Sequence, residues 1–505
     1  MIRKFGIAAS LVAVMVTGTH AQNAATVVAA ASRAMGADTL NSITFAGTAR
    51  NGAFGQSKLI GQPQHPNNLT QITRYTRTVT FGQAPAAGAL VLRATGPTQP
   101  PTLPGVAAPM PGVFNQNINQ MQANTAWVQA LNIWTTPWGF LKGAAANNAS
   151  VRMEGAQQMV WYQPAGFTSP SGLRYTVTGY INAQNLVTKV ETKVENTVVG
   201  DNLIEFEYSN YQNMNGVQVP GRIVQKQAGM QTFDATITSA TPNPANLVEL
   251  LTAPAPAAPP AGAPAPAAPP APGAPAAAPA APTAERLGDG VFRITGNHTA
   301  LAVDMGDHIL IVETGQSDAR AQAVFALAKQ NIPNKPIRFT VNSHPHFDHG
   351  SGLRGAAAEG ATILMHTNSA ATMQRLISGP GSLLGDTLAK HTNPKVTVQG
   401  IGDREIRRGT NGRVVEIHRV AESEHTDSHM IVYLPAEKVL YTADTPAAGM
   451  PNPNQVQVLR ATLAATDRLK LQWESMVPAH PVMPERVVPR AEVQALLTAA
   501  QQARN

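Results

Sequence analysis

Between Ala253 and Pro282 the chain is almost wholly alanine and proline, with two glycines among them. Such a stretch has little to bury and a strong polyproline bias, so it cannot join a core. It splits the 505 residues into two lengths that each have to find their own fold, as expected beyond the size at which one core stops growing. At about 3.1 Å per residue it is a semi-rigid spacer able to hold them up to roughly 90 Å apart. The predicted organisation is a unit over residues 23–250, a linker over 253–282 and a second unit over 284–505.

The first 21 residues read as an export signal. Arg3 and Lys4 supply the positive end, Phe5 to Val16 is apolar, and Thr19-His20-Ala21 offers small residues for cleavage before Gln22. The apolar run is short for a membrane span, and no later segment reads as a transmembrane helix. The expected location is therefore periplasmic or secreted. The chain has no cysteine, which removes disulfides as staples and thiolates as nucleophiles or ligands. Any metal has to be held by histidine and carboxylate. The formal charge of +7 is spread thinly, with no run of lysine and arginine interleaved with aromatics, so a nucleic-acid partner is not expected.

Residues 23–250 open with a helix pattern at Ala24–Met35. Period-two apolar spacing then predicts strands at Ser42–Arg50, Leu173–Ile181, Val187–Val194, Ile204–Tyr211, Val217–Lys226 and Thr232–Ser239. The segment Ala94–Gly112, heavy in proline and glycine, reads as a mobile loop. Helix first and long antiparallel strands after resembles the half-barrel of envelope lipoprotein carriers. That resemblance leaves a lipid or envelope contact open, with Trp134, Trp138, Phe140 and Trp161 either lining an apolar concavity or simply forming the core.

After the spacer the pattern changes to strands at Gly290–Thr295, Ala300–Val303 and Ile309–Val312, a helix at Asp318–Gln330 and a strand at Ile337–Asn342, the mark of an α/β layered domain. The last strand runs into His344-Pro345-His346-Phe347-Asp348-His349-Gly350, and eleven of the 13 histidines lie between His298 and His480. Four metal-binding side chains converge from one turn, a natural site for zinc. Further candidates stand where other strands begin or end: His425 in Glu424-His425-Thr426, Asp444 in Ala443-Asp444-Thr445 and His480 in Pro478-Ala479-His480.

These motifs, in this order over residues 287–485, resemble the metallo-β-lactamase superfamily. The resemblance implies a four-layer αββα sandwich and two metal ions, zinc by preference with iron or manganese as alternatives. His344, His346 and His425 would hold the first, Asp348, His349 and His480 the second, and Asp444 would bridge them. It also implies hydrolysis of a small-molecule substrate by a metal-shared hydroxide, with Asp348 orienting the nucleophile and managing its proton. Esters, thioesters and lactones are the expected class. Dedicated β-lactamases carry cysteine or serine near the Asp444 position, so a lactamase is the alternative, and an envelope lipid- or glycan-binding protein with a non-catalytic metal domain is another.

Two positions depart from the superfamily pattern: Glu313 stands for the usual aspartate and Glu424 for the usual glycine, the latter expected to turn outward. His298, His308, His366, His418 and His429 are read as strand-end or surface histidines. Thr445–Asn454 and the segment between His366 and Lys395 are expected to shape the mouth of the site.

Overall fold

The computed structural model describes residues 23–65, 69–81, 90–95, 97–99, 112–113, 117–120, 126–251, 281–449 and 451–502. The export-signal reading of residues 1–21 and nearly all of the spacer fall outside them.

The N-terminal half begins with helix α1 (Ala24–Met35) and strands β1 (Ser42–Gly52), β2 (Leu69–Thr80), β3 (Leu90–Thr95), β4 (Pro97–Gln99), β5 (Gly112–Val113) and β6 (Asn117–Gln120). Helices α2 (Trp127–Trp134) and α3 (Pro137–Ala146) lead into β7 (Ser150–Glu154), β8 (Gln157–Tyr162), β9 (Val177–Ile181) and β10 (Val187–Asn196). Strands β11 (Gly200–Met214), β12 (Val217–Gln227) and β13 (Met230–Pro242) follow, then a helical turn, α4 (Leu247–Leu250). All 13 strands form one sheet, in the order β5-β4-β2-β1-β13-β12-β11-β10-β9-β8-β7, with β3 pairing β2 and β6.

Local chemistry explains several of these elements. The Asn23 side chain caps α1 by accepting from the Ala25 amide, and Gly36 ends it at φ 66°, the left-handed geometry that glycine adopts cheaply. The β11–β12 hairpin turns on Asn215-Gly216, both at positive φ, as a tight primed turn requires. Val27, Val28, Ala31 and Met35 of α1 meet Trp127, Trp134, Trp138 and Phe140 of α2 and α3 in the core against the sheet. Trp134, Trp138 and Phe140 are thus buried core residues.

The sequence expectations need correction in three places. β9 starts at Val177 and not at Leu173, because Arg174 makes only an isolated bridge to Thr168. Within Ala94–Gly112, read as a loop, residues 94–95, 97–99 and 112 lie in strands, and the remainder is outside the described residues. β2 escaped the sequence reading because its alternation is carried largely by threonine and arginine.

The C-terminal half is a sandwich. Its first sheet takes β14 (Ala284–Gly288), β15 (Val291–Ile294), β16 (Ala300–Asp304), β17 (Ile309–Val312), β18 (Ile337–Val341), β19 (Thr362–His366) and β20 (Val398–Ile401) in that order. Helices α5 (Asp318–Asn331), α6 (Phe347–Gly350), α7 (Leu353–Ala358) and α8 (Thr367–Ile377) connect its parallel strands. The second sheet takes β21 (Arg404–Arg408), β22 (Val414–Arg419), β23 (Met430–Leu434), β24 (Val439–Thr442), β25 (Ser475–Pro478) and β26 (Val488–Pro489), with α9 (Pro453–Arg468) and α10 (Arg490–Gln502).

Leu301, Val303, Leu310, Val312, Val341, Ile417, Val432 and Tyr441 fill the space between the two sheets. α5, α7 and α8 cover one outer face, and α9 and α10 the other. The result is four layers, helix on sheet on sheet on helix. The core under α7 and α8 also takes in Ile60, Val198, Val199 and Met230 from the N-terminal half. No described helix is long and apolar enough to cross a membrane.

Candidate metal centre

β17 and β24 are fully buried and β18 and β19 largely so, and the polar residues that follow these strands at one end of the sandwich make the site. After Val341 the chain runs through Asn342 and Ser343 to His344 and His346, then enters the turn α6, which carries Asp348 and His349. His344, His346 and His349 are buried, while Asp348 keeps about a third of its side chain exposed. His425 precedes β23, Asp444 follows β24 and His480 follows β25.

The structure brings all seven side chains together in two overlapping groups. His344, His346, His425 and Asp444 offer ligand atoms within 4.8 Å of one another, and so do Asp348, His349, Asp444 and His480. Asp444 joins the groups by facing each with a different oxygen. Its Oδ2 lies 3.2 Å from His344 Nε2 and 2.6 Å from His425 Nε2, and its Oδ1 lies 3.1 Å from His349 Nε2 and 2.7 Å from His480 Nε2. The residue sits at φ 52°, a left-handed conformation that aspartate tolerates better than most side chains.

Charge is shared unevenly. Burial, with charged neighbours, holds His344 well below the usual imidazole range, and burial with the adjacent His425 takes His346 down to about 3. Burial works against a proton on His349 as well, but hydrogen bonds to Asp444 and Glu313 prevail and raise it to about 10. Hydrogen bonds to Asp348 and Asp444 raise His480 to about 9. Burial alone would raise both aspartates, yet hydrogen bonds from the surrounding histidines hold Asp348 and Asp444 below the carboxylate range. Two ionised carboxylates ringed by imidazoles make a cation-seeking pocket.

The donor set suits a metal on a further count. His346 spends Nε2 on the Ser57 carbonyl at 3.2 Å, and its Nδ1 is buried with no hydrogen-bond partner. A buried imidazole nitrogen left without a partner is costly, and a metal ion is the partner it fits.

Several residues around the centre were misread or unassigned in the sequence. Glu313, at φ 64° and fully buried, accepts from the Ser343 amide at 2.6 Å and lies 3.3 Å from His349 Nδ1. His298 Nε2 lies 3.3 Å from the same Nδ1. No motif flags His298, which stands far from the cluster in sequence. His298, His308, His366, His418 and His429 are all buried, so none is a surface histidine. His429 lies behind His344 and His425, where Nε2 donates to the Ala443 carbonyl at 2.9 Å. Glu424 turns away from the histidines to pair with Lys58 of the N-terminal half.

A cavity of 520 Å³ opens from His425, Asp444 and His480 and is lined further by Pro446, Ala447, Asn452, Asn454, Gln455, Val458, Val482 and Met483. Within Thr445–Asn454, residues 445–449, Asn452 and Asn454 therefore line this cavity, and residue 450 lies outside the described residues. The 366–395 segment does not line this cavity. It packs on the N-terminal half, where Asp201 accepts from the Leu383 amide and from Ser382 Oγ.

Residues 293–451 match the family model of the Metallo-beta-lactamase superfamily. Over 195 residues the chain is 27% identical to 2,4-dinitroanisole O-demethylase subunit alpha of Nocardioides sp. (strain JS1661), covering 38% of this chain and 53% of that protein. The chain thus spans about half the length of this curated relative. Among solved structures, the metallo-β-lactamase from Pontibacter korlensis matches with 16% identity and a TM-score of 0.34, over 44% of this chain and 99% of its own. Metallo-β-lactamase FIM-1 from Pseudomonas aeruginosa, in a mono-zinc form, matches with 17% identity and a TM-score of 0.34, over 44% of this chain and 96% of its own. This family match spans the turn His344–His349, His425 and Asp444, and the likeness to the metallo-β-lactamase superfamily lies in residues 293–451.

Proposed function

We propose that the chain is a binuclear metal-dependent hydrolase of small acyl substrates. His344, His346 and His425 would hold one ion, Asp348, His349 and His480 the other, and Asp444 both. The observation that carries this reading is the division of the Asp444 oxygens between the two histidine groups. A closed structural zinc site needs four ligands and no shared carboxylate. Zinc suits an all-imidazole and carboxylate set, with iron and manganese as alternatives. Bound there, the ions would supply Lewis acidity and an activated water.

The chain's own residues supply the rest. Asp348 points Oδ2 at His480 and His349, at 3.4 and 3.5 Å, from the partly exposed edge of the site. An ionised carboxylate in that place can take a proton from an attacking water and return it to the leaving group. Among the described residues, the cavity wall beyond the ligands carries no lysine, arginine or acid, only apolar side chains, the Thr445 hydroxyl and the amides of Asn452, Asn454 and Gln455. This lining favours a neutral ester, thioester or lactone whose carbonyl accepts from an amide. Asp444 stands where dedicated β-lactamases carry cysteine or serine, which favours the acyl ester class over lactams. Export is proposed from residues 1–21, and the halves at 23–250 and 284–505 are proposed to work as one enzyme.

The test is metal content of the full chain by mass spectrometry, with turnover of a thioester, a lactone, a phosphodiester, an aryl sulfate, a cephalosporin and 2,4-dinitroanisole. The last is included for the relative named as its demethylase. About two metals per chain and turnover lost in His346→Ala support the proposal. A folded chain that takes up no metal and turns over none of the six would sink it.

A further inference from the structure

The connection between β1 and β2 belongs to the N-terminal half, yet it lies against the turn that carries three of the metal-binding histidines. Phe347 donates its amide to the Gly55 carbonyl at 2.9 Å, and Phe54 packs edge-on against the Phe347 ring at 5.1 Å. Gln56 Nε2 donates to Asp348 Oδ1 at 2.8 Å. The Ser57 carbonyl accepts from His346 Nε2 at 3.2 Å. One residue further, Lys58 pairs with Glu424, and its carbonyl accepts from the Asp427 amide and Thr426 Oγ1, each at 3.1 Å. Five consecutive residues, Phe54 to Lys58, therefore tie together the two segments that supply His346, Asp348 and His425. Ile60 anchors the connection in the core under α7 and α8.

Each contact has a consequence for a ligand. A carbonyl can only accept, so the Ser57 contact places the imidazole proton of His346 on Nε2 and the lone pair on Nδ1, the buried nitrogen with no other partner. A hydrogen bond to the far nitrogen is how a protein selects the tautomer and fixes the ring plane of a metal-binding histidine. Gln56 occupies Asp348 Oδ1 and leaves Oδ2 facing His349 and His480. The amide donates without adding charge, so the carboxylate keeps its full negative charge for a cation.

We propose that the β1–β2 connection is a working part of the metal centre, in which the Ser57 carbonyl positions His346 and the Gln56 side chain positions Asp348. The N-terminal half then completes the outer coordination sphere of a site whose ligands all come from the C-terminal half. This rests on the reading of the seven side chains as a binuclear centre. The fit at Gly55 supports a rigid arrangement, because a Cβ there would come within 2.5 Å of the Phe347 ring and the residue sits at φ 79°. Gly55 is needed for the connection to come this close.

The experiment uses the full chain, freed of metal and titrated with Co(II), with dissociation constants from chelator competition and the visible d–d spectrum as a signature of ligand geometry. Gln56 is exposed, so Gln56→Ala removes no core contact and should leave the thermal midpoint of the metal-free protein in place. It is expected to weaken the site containing Asp348 about 10–100-fold and to alter the d–d bands. Gln56→Glu, which sets a second carboxylate against Asp348, is expected to shift the same bands. Gly55→Val, which pushes the connection off Phe347, is expected to weaken both sites. Unchanged constants and spectra in Gln56→Ala and Gln56→Glu would overturn the role of Gln56, and the same result in a folded Gly55→Val would overturn that of Ser57. A parent chain that binds no Co(II) would instead overturn the binuclear centre, and this proposal with it.

Discussion

At the residue scale, metal loading of the proposed centre is an exchange of protons for metal. Hydrogen bonds to the neighbouring carboxylates raise His480 to about 9 and His349 to about 10, so without metal these rings hold a proton more tightly than a free imidazole does. A metal needs the neutral imidazole, so loading has to expel those protons. The sign follows: affinity should rise with pH through neutrality and level off above about 9 to 10. Titration calorimetry in two buffers of different ionisation enthalpy reads the proton release directly, and a release of none would contradict the arrangement. Asp444 is the residue on which both groups depend. Asp444→Ala should therefore weaken both ions, and by more than the roughly 10–100-fold that loss of an outer hydrogen-bond partner costs. Metal analysis after gel filtration should find the variant largely without metal, and two retained ions would refute the shared-ligand role.

Among the elements, α7 shows how much the layer arrangement depends on a polar contact that periodicity does not reveal. Arg354 on α7 is fully buried and pairs with Asp386, also buried, while Nη1 donates to the carbonyls of Ile377 at 2.8 Å and Gly379 at 2.6 Å. That network holds the end of α8 and the segment after it against the face that meets β11 at Asp201. Arg354→Ala would leave the Asp386 carboxylate buried without its partner, at a cost of about 3–5 kcal/mol. Urea unfolding followed by circular dichroism should show the loss as a lower midpoint with an unchanged slope. A midpoint within error of the parent would mean that water reaches the site and the pair carries little.

For the whole molecule, the shared core decides whether the halves behave separately. Ile60, Val198, Val199 and Met230 pack with Met373, Leu376 and Ile377 in one cluster, so neither half keeps its buried surface if the other unfolds. Pulsed hydrogen exchange during urea unfolding, read on peptides from both halves, is expected to give one midpoint. Two separated midpoints would show that the 23–250 and 284–505 units are independent and that the contact adds little. The same contact carries the β1–β2 connection to the metal-binding turn, so the linkage is chemical as well as mechanical.

Much of this was legible in the sequence because its determinants are local. The helix at Ala24–Met35 has its cap, its apolar face and its terminating glycine within the segment. The turn His344–His349 carries four side chains able to bind metal within six residues, and the strands β16 and β17 announce themselves by nearly continuous apolar runs. Other features depend on where distant segments meet. Gln56 and Asp348 stand 292 residues apart, and nothing in the local pattern of either marks the other. His298 and Glu313 become neighbours of His349 only when β15 to β18 assemble side by side. Which residues offer candidate ligand atoms is a matter of residue type and spacing, which the sequence determines by itself. Their outer partners, the division of Asp444 between two groups and the reach of one half into the other's site were decided by tertiary structure, because a hydrogen bond depends on distance and direction in space and not along the chain.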